Sequence, residues 1–548
     1  MSSHTTQQIG DYSRVESPSE MILSATSALS SAVQTTLGPN GMDKMIINDT
    51  GTVVVTNDGS YILKQVDIEN PVGRMLKQVA ETQADTIGDG TTTAVILAGE
   101  LLQTAKSLHN DGIHPTKIID GYTKAVNHAS QQLRNYGIKA DSGDKARLRQ
   151  VAETAVTGRW DSNHTRQFAG LAVEALQHID FDTSRLTLKS YPGGELQESE
   201  QIDGLLVDID TSSTSIESVG TTTGGSLIEP AVAMVNDEIG IEVPDCIEVT
   251  KLQSTEQLSE LQSHEESQRT AVIKQIIDLD VDILVCQKSI NERIRNRLVN
   301  YGVLAVERTR QDEFDTIARV TGSSPTQSVS ALEQDRVGHA EVVEQRAIGP
   351  TSGVIIRGST NEAQSSLLLR GGTDHVSGEI RRIINDCIDV VRLTAQNELL
   401  IPSGGAAAVA LASDISDYAV SVSDRAQIVV EGFAEAIELI PGVLAQNAGR
   451  NPIDTIPTLR RRHHAGEHMI GVGPDGRPKN MIDAGAVEPA IVFYSALKRA
   501  TEAALMMLRI DDMFMTEGSD THGERGSPHG EYNHSGQTGG GYPWTISH

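Results

Sequence analysis

A chain of 548 residues, 38% of them apolar, is too long for one hydrophobic core and should divide into three or four domain-sized units, with aliphatic cores because aromatics are only 3%. A formal net charge of −29 excludes a nucleic-acid backbone and an anionic membrane surface as partners, since both need clustered Lys and Arg. Three scattered cysteines, Cys246, Cys286 and Cys387, with no CxxC pair, exclude a zinc module and a disulfide scaffold and fit a reducing cytosol.

The acidity has two readings. One is life in high salt, where a Debye length of roughly 3 Å at 1 M screens self-repulsion; the other is an ordinary acidic cytosolic protein. Sparse lysine beside abundant Asp, Glu and Thr favours the first. No apolar run approaches the roughly 20 residues of a membrane span, and Met1 to Pro18 is polar with no signal core, so a soluble cytoplasmic protein is expected.

In chain order, Ser19 to Leu37 carries Ala, Leu and Val at helical spacing and is stopped by Gly38-Pro39. Met45-Ile46-Ile47 and Thr52-Val53-Val54-Val55 flank Asn48-Asp49-Thr50-Gly51, a hairpin signature. Helical pattern dominates from Pro71 to about Tyr136, Asp141 to Asp144 is a loop, and Lys145 to Gly158 and Asn163 to Ile179 read as helices. From Leu205 to Val249 the chain turns rich in Ser, Thr, Gly and β-branched residues. Val281 to Cys286 and Val303 to Val306 are buried-strand runs around a helical Asn291 to Asn300, a βαβ unit that implies a partly parallel sheet. Ser365 to Leu369 is a further strand and Glu379 to Asn397 a long helix; helical pattern returns from Gly404 to Leu444 and from Ala490 to Met507. The Gly-, Ser- and His-rich tail from Gly518 reads as disordered. A helical segment, an α/β insertion and a second helical segment are most simply joined as one helical domain built from both chain ends with the α/β part inserted.

The densest chemistry is Gly88-Asp89-Gly90-Thr91-Thr92-Thr93, followed by the largely apolar Ala94 to Leu102. It reads as a tight loop opening a helix, with backbone N–H groups, three hydroxyls and a helix dipole aimed at one anion. Asp89 would repel a phosphate there unless a divalent cation lay between them, so the motif asks for Mg²⁺. The plain alternative is an N-capped helix after a glycine turn. Gly38-Pro39 and Gly404-Gly405 are further phosphate-cradle candidates, free of side-chain bulk. No GxxxxGK[ST] loop occurs, so such a phosphate site would be of another kind. Two more carboxylates stand out: Asp58, in a turn after a strand, and Asp386, mid-helix, where an aspartate is ordinarily a solvated face residue.

Taken in order and spacing, Thr36-Leu37-Gly38-Pro39, Asn57-Asp58-Gly59, Gly88 to Thr93, Leu369-Arg370-Gly371-Gly372-Thr373, Asn385-Asp386, Pro402-Ser403-Gly404-Gly405-Ala406, Val487-Glu488-Pro489-Ala490 and Leu508-Arg509-Ile510-Asp511-Asp512 resemble a group II chaperonin, the type of archaea and the eukaryotic cytosol. The resemblance runs from about Val15 to about Asp512. It implies a multidomain α and α/β fold: a flexible 1–18; a mostly helical equatorial domain, 19–142 and 395–515; a small intermediate hinge domain, 143–205 and 365–394; an inserted α/β apical domain, 206–364, with a helical lid protrusion near 248–276; and a disordered 516–548. It implies an ATPase using ATP and Mg²⁺, with K⁺ a possible further cation, assembled with other chaperonin subunits into a double ring that closes around unfolded client polypeptides. It implies nucleotide contacts at Leu37, Gly38, Pro39, Asp58, Gly59, Gly88, Asp89, Gly90, Thr91, Thr92, Thr93, Arg159, Gly404, Gly405, Gly485 and Glu488, the metal on Asp89, and water activation by Asp386 with Asp58. Glu488 accepting ribose hydroxyls has a rival reading, an acid at a helix N-terminus before Pro489.

Departures from the family pattern are Arg159 where a phosphate-sensing lysine is usual, and Ser403 and Ala408 where Gly and Glu are usual. The protrusion segment, with Gln257-Leu258-Ser259-Glu260-Leu261-Gln262-Ser263-His264-Glu265-Glu266, is unusually polar for a surface that binds unfolded chains. These departures motivate a rival function, a structural or holding subunit of a mixed ring with weak folding activity.

Overall fold

The computed structural model describes residues 6–9, 12–15, 18–47, 53–66, 68, 70–209, 226–240, 255–348, 351–360, 362–511 and 514–516. The expected hairpin turn at 48–51, the start of the expected protrusion, Cys246, Asp512 and the expected tail from 518 lie outside these residues. Among the described residues no helix is long and apolar enough to cross a membrane.

The chain divides into two compact units, Met1–Pro18 with Ile510–His548, and Ser19–Arg509. In the first, Thr6–Ile9, Tyr12–Val15 and Phe514–Thr516 form an antiparallel sheet where the polar patterning predicts no element; strands of three and four residues are too short for a period to register.

The second unit is built around the helix Thr91–Asn110. Ala94 to Ala98, Leu101 and Ala105 on it are all fully buried, as a helix apolar on every side requires. It packs against Pro71–Ile87, Pro115–Gln132, Ala426–Ile437 and Ala490–Met507, so both halves of the sequence share one helical core. The long helical pattern from Pro71 thus resolves into three helices. The first break is Gly88-Asp89-Gly90, where Gly88 (φ +83°) and Gly90 (φ +78°) adopt the left-handed conformation that side chains resist.

A second core joins the helices Lys145–Ala155, Ser162–His178 and Asp374–Asn397 to a three-stranded sheet. Ser365–Gly371 is its central strand, parallel to Leu186–Pro192 and antiparallel to Glu200–Asp203. Phe168, Leu367, Ile380, Ile384, Cys387 and Val391 fill the space between. The long helix starts five residues before the sequence reading, capped by the Thr373 side chain accepting from the Val376 N–H at 3.3 Å.

The inserted segment forms a seven-stranded sheet, in which Ala231–Val235, Ile283–Cys286 and Leu304–Val306 run parallel, as the βαβ pattern predicts, and Gly338–Ile348, Thr351–Gly358 and Leu205–Ile209 continue antiparallel. The helix Thr255–Asp278 begins in the expected protrusion and ends in this core, burying Ile273 and Ile276. Where its side chains are described its flank is ionic: Arg269 pairs with Glu265 and Glu266 at 2.9 and 2.8 Å, and Arg297 reaches Glu266 at 2.5 Å.

Two small sheets escape the sequence reading and prove to frame the site. Leu399–Pro402 lies between Ile138–Lys139 and Val487–Pro489, and Ile470–Val472 pairs with Pro478–Asn480.

Candidate functional site

A cavity of about 380 Å³ opens where these elements meet. Its walls include Leu37, Gly38, Pro39, Asp58, Gly59, Asp89, Gly90, Thr91, Thr92, Thr93, Arg159, Gly404, Gly405, Gly485 and Glu488. Residues predicted from six separate stretches of sequence therefore share one space.

Two helices point their N-termini into it. Thr91–Asn110 starts from Gly90 and Ala406–Ala419 from Gly405, and both N-caps are left-handed glycines (φ +78° and +74°) with no side-chain cap. Apart from the Ala406 N–H, which donates to the Ser403 carbonyl at 3.2 Å, the N–H groups of each first turn are thus left to a ligand, and both dipoles favour an anion. The close approach also needs glycine: a Cβ on Gly59 would lie 2.1 Å from Thr92 Oγ1, and one on Gly405 would lie 2.7 Å from Pro441 Cβ.

Against this anion-seeking floor stand carboxylates. Asp89 Oδ1 accepts from the Gly90 N–H at 2.6 Å. Burial pushes the Asp89 carboxyl up, reinforced by Asp58 and Asp389 and opposed by the Gly90 N–H and Arg159. Asp58 caps the helix Gly59–Gln65, its Oδ1 accepting from Ser60 N–H and Ser60 Oγ at 2.9 Å each. The capping half of Asp58 is therefore already committed. Glu488 sits opposite Ile401 in the sheet that also carries Ser403 to the rim. Burial and Asp89 push its carboxyl up to about 8, against a hydrogen bond from Ser403.

Two predicted residues stand outside the lining. Gly88 ends the helix Pro71–Ile87, and a Cβ there would lie 2.7 Å from the Asp389 carboxylate; its part is to turn the chain. Asp386 lies behind Arg159, whose Nη1 is 2.6 Å from Asp386 Oδ2. That contact is an ion pair without aligned hydrogen-bond geometry, since the same buried Nη1 has no hydrogen-bond partner. The guanidinium is the shared neighbour of the acids: burial works against its charge, but Asp386, Asp58, Glu379 and Asp89 together hold its pKa above the ordinary value. Burial, with Asp58, Asp89 and Asp389 nearby, pushes the Asp386 carboxyl up to about 8 despite Arg159. Asp58, Asp89 and Asp386 thus belong to one electrostatic neighbourhood.

The excess of acids over one guanidinium is unbalanced and suits a cation. Among the described residues no group of three or more His, Cys, Asp and Glu forms a metal cage. Asp89 is a hard oxygen donor beside an anion-seeking helix N-terminus, the kind of single carboxylate that a divalent ion such as Mg²⁺ takes along with phosphate and water ligands.

Several wall residues escape sequence reasoning: Glu153, Thr154 and Thr157 before Arg159, and Val472, Pro474, Lys479 and Met481 at the far end. The last group has a legible signal, the Asp475-Gly476 turn that follows the short apolar run Met469 to Val472 and marks a hairpin. Thr154 has none: its Oγ1 accepts from the Val487 N–H at 3.2 Å, a contact across 333 residues.

Sequence comparison gives a concordant result. Residues 29–517 match the TCP-1/cpn60 chaperonin family. The chain is 36% identical over 503 residues to thermosome subunit alpha of Halobacterium salinarum, covering 91% of this chain and 88% of that protein. It is 36% identical to a thermosome subunit of Methanopyrus kandleri, covering 90% and 91%, and 34% identical to thermosome subunit alpha of Thermoplasma acidophilum, covering 95% of each.

Proposed function

Because the chain belongs to the TCP-1/cpn60 chaperonin family and is a group II subunit of an ATP-dependent double-ring chaperone, we propose that it holds and hydrolyses ATP in the cavity faced by Thr91, Ala406 and Arg159, with Mg²⁺ on Asp89. The observation that carries this reading is the meeting of two uncapped helix N-termini with a surplus of carboxylates in one cavity. The N–H groups and hydroxyls of Thr91, Thr92 and Thr93 and the backbone at Gly38, Gly404 and Gly405 bind phosphate oxygens. Asp89 would hold Mg²⁺, which when bound would supply neutralisation of the phosphate charge. Asp386, ionised when a cation at Asp89 offsets the neighbouring carboxylates that push its carboxyl up, takes the proton of the attacking water with the help of Asp58, and Arg159 holds Asp386 in place. Glu488, steadied by Ser403, accepts ribose hydroxyls beside the Gly485 backbone, and Met481, Val472 and Leu444 offer the base an apolar wall.

The same reading divides the chain into an equatorial domain of 19–142 and 395–515, an intermediate domain of 143–205 and 365–394 and an apical domain of 206–364. Asp386 then reaches the site from the intermediate domain and Asp89 from the equatorial one, so hinge closure completes the catalytic set and couples hydrolysis to motion. Purified protein in concentrated KCl should hydrolyse ATP, and EDTA should abolish the activity; a well-folded protein without Mg²⁺-dependent turnover overturns the assignment. The family match does not favour the holding-subunit alternative.

For the subunit contact, support comes from the hairpin Lys44–Ile47 with Val53–Thr56. Met45 faces Val55 and Ile47 faces Val53 across the ladder, so four apolar side chains share one face. They are 67, 50, 65 and 40% exposed, and neighbouring Met42 is 68% exposed. A second copy covering that face would gain about 1.5 kcal/mol or more per buried side chain. Met45→Lys combined with Ile47→Lys should therefore leave a folded subunit and lower the ring population in native mass spectra severalfold or more. An undiminished ring would place the contact elsewhere.

A further inference from the structure

Gln83 occupies the core-facing stripe Val72, Leu76, Ala80, Gln83, Ile87 of the helix that leads into the Gly88–Thr93 loop, and it is 0% exposed. An amide in an apolar stripe is costly unless its polar atoms are satisfied. Here they are. Its Nε2 donates to the Asp89 carbonyl at 2.8 Å and, at longer range, to the Val492 carbonyl at 3.4 Å. Its Oε1 accepts from Ser495 Oγ at 2.9 Å. Ser495 Oγ accepts in turn from Arg499 Nε at 3.0 Å, and Arg499 Nη2 donates to Thr86 Oγ1 at 2.6 Å. One buried amide therefore ties three things together: its own helix, the Asp89 peptide and the helix Ala490–Met507.

The tie matters because of what flanks Asp89. Left-handed glycines stand on both sides, so the local backbone offers Asp89 little restraint of its own. The Gly90 N–H fixes the carboxylate relative to the loop. Only a bond from outside the loop can fix the loop relative to the fold, and the Gln83 amide supplies one. A Cβ on Gly90 would lie 2.9 Å from Val492 Cγ1 and 3.2 Å from Gln83 Nε2, so the loop is seated closely on the same two residues.

We infer that Gln83 is a positioning residue for the cation site: through the Asp89 carbonyl, and braced by Ser495, it holds the Asp89 carboxylate where the metal binds. This rests on the reading of Asp89 as the metal ligand. Outer contacts of this kind typically change metal affinity by roughly 10- to 100-fold.

The test uses the full-length assembled protein. Gln83→Met keeps the length of the side chain and removes both polar atoms; Ser495→Ala leaves Gln83 in place and removes its brace. Mn²⁺ affinity is read by electron paramagnetic resonance in saturating ADP, ADP affinity is read separately in EDTA, and amide hydrogen exchange at 88–93 is followed without nucleotide. Gln83→Met should weaken Mn²⁺ binding about tenfold, leave metal-free ADP binding unchanged and speed exchange in the loop. Ser495→Ala should do the same to a smaller degree, and the double variant should match Gln83→Met alone. A Gln83→Met ring that binds Mn²⁺ like the wild type overturns the inference, because a tie that serves folding alone lowers stability and not metal affinity. If Gln83→Met does not assemble, Ser495→Ala decides, and unchanged Mn²⁺ affinity and exchange overturn it. Wild-type protein that binds no Mn²⁺ with ADP would overturn the metal site itself, which is a different failure.

Discussion

Asp386→Ala should bind ATP as tightly as the wild type and hydrolyse it at least ~10²-fold more slowly. Asp386 is outside the cavity lining, so its removal takes away no wall of the nucleotide site. Its link to the site is Arg159 at 2.6 Å, and losing the carboxylate leaves the cavity-lining guanidinium without that partner. Binding should therefore hold or tighten while turnover falls, a split that isothermal titration and single-turnover hydrolysis resolve. Asp58 is a poorer substitute base because its Oδ1 already caps a helix. Asp389, one turn further along, is the control: it pairs with Arg392 and abuts Gly88, and Asp389→Asn should keep turnover. Normal hydrolysis by Asp386→Ala would move the proton acceptor elsewhere. Stability should respond with the opposite sign. The folded state holds the Asp386 proton up to about pH 8, well above the ordinary carboxylate value, so it binds more protons than the unfolded chain between these limits. Stability from this group falls as pH rises through that window. Nucleotide-free Asp386→Ala should thus lose less stability than the wild type between about pH 5 and 8.

The sequence was most legible where one residue type has a single physical use. The Gly-Asp-Gly-Thr-Thr-Thr run announced a helix start facing an anion, and the helix does start at Thr91 with its N-cap bare. The largely apolar Ala94 to Leu102 announced a helix, which the structure buries at the centre of the helical core, and the alternating strand and helix runs from Val281 announced the parallel part of the large sheet. Legibility failed where the determinant is remote. Nothing near Asp386 reveals that Arg159, 227 positions away in the chain, is its partner (386 − 159). Gln83 looks like any helix-surface glutamine until the helix Ala490–Met507 is laid against it. Strands of two to four residues, such as Ile138–Lys139 and Val487–Pro489, are shorter than any period, yet they carry Glu488 to the rim. Composition alone favoured a solvated-face reading of Asp386, and the structure sets it 2.6 Å from Arg159 instead.

Asp89→Asn should reverse the effect of Mg²⁺ on nucleotide binding. The substitution is nearly isosteric, and the amide oxygen can still accept the Gly90 N–H, so the loop keeps its 2.6 Å internal bond. What disappears is one negative charge beside Asp58, Asp386 and Glu488. With Mg²⁺ present, the proposed first-coordination ligand is lost, and affinity for ATP should fall at least ~10²-fold, more than loss of an outer contact would cause. With EDTA, the charge that repels the phosphates is lost, and affinity should rise, by roughly tenfold if about 1.4 kcal/mol is relieved. That is a fraction of the ~4 kcal/mol exchanged by unit charges 4 Å apart at an effective dielectric of ~20. Because burial already pushes the Asp89 carboxyl up, some of the repulsion is absent at low pH, and the gain in EDTA should grow as pH is raised. Removing an uncompensated recessed charge should also stabilise the nucleotide-free protein. A merely structural Asp89 predicts weaker binding under both conditions and a lower melting temperature. Titration of ATP into both proteins, with and without Mg²⁺, separates the two by sign, and a loss of affinity in EDTA would remove the metal from this carboxylate.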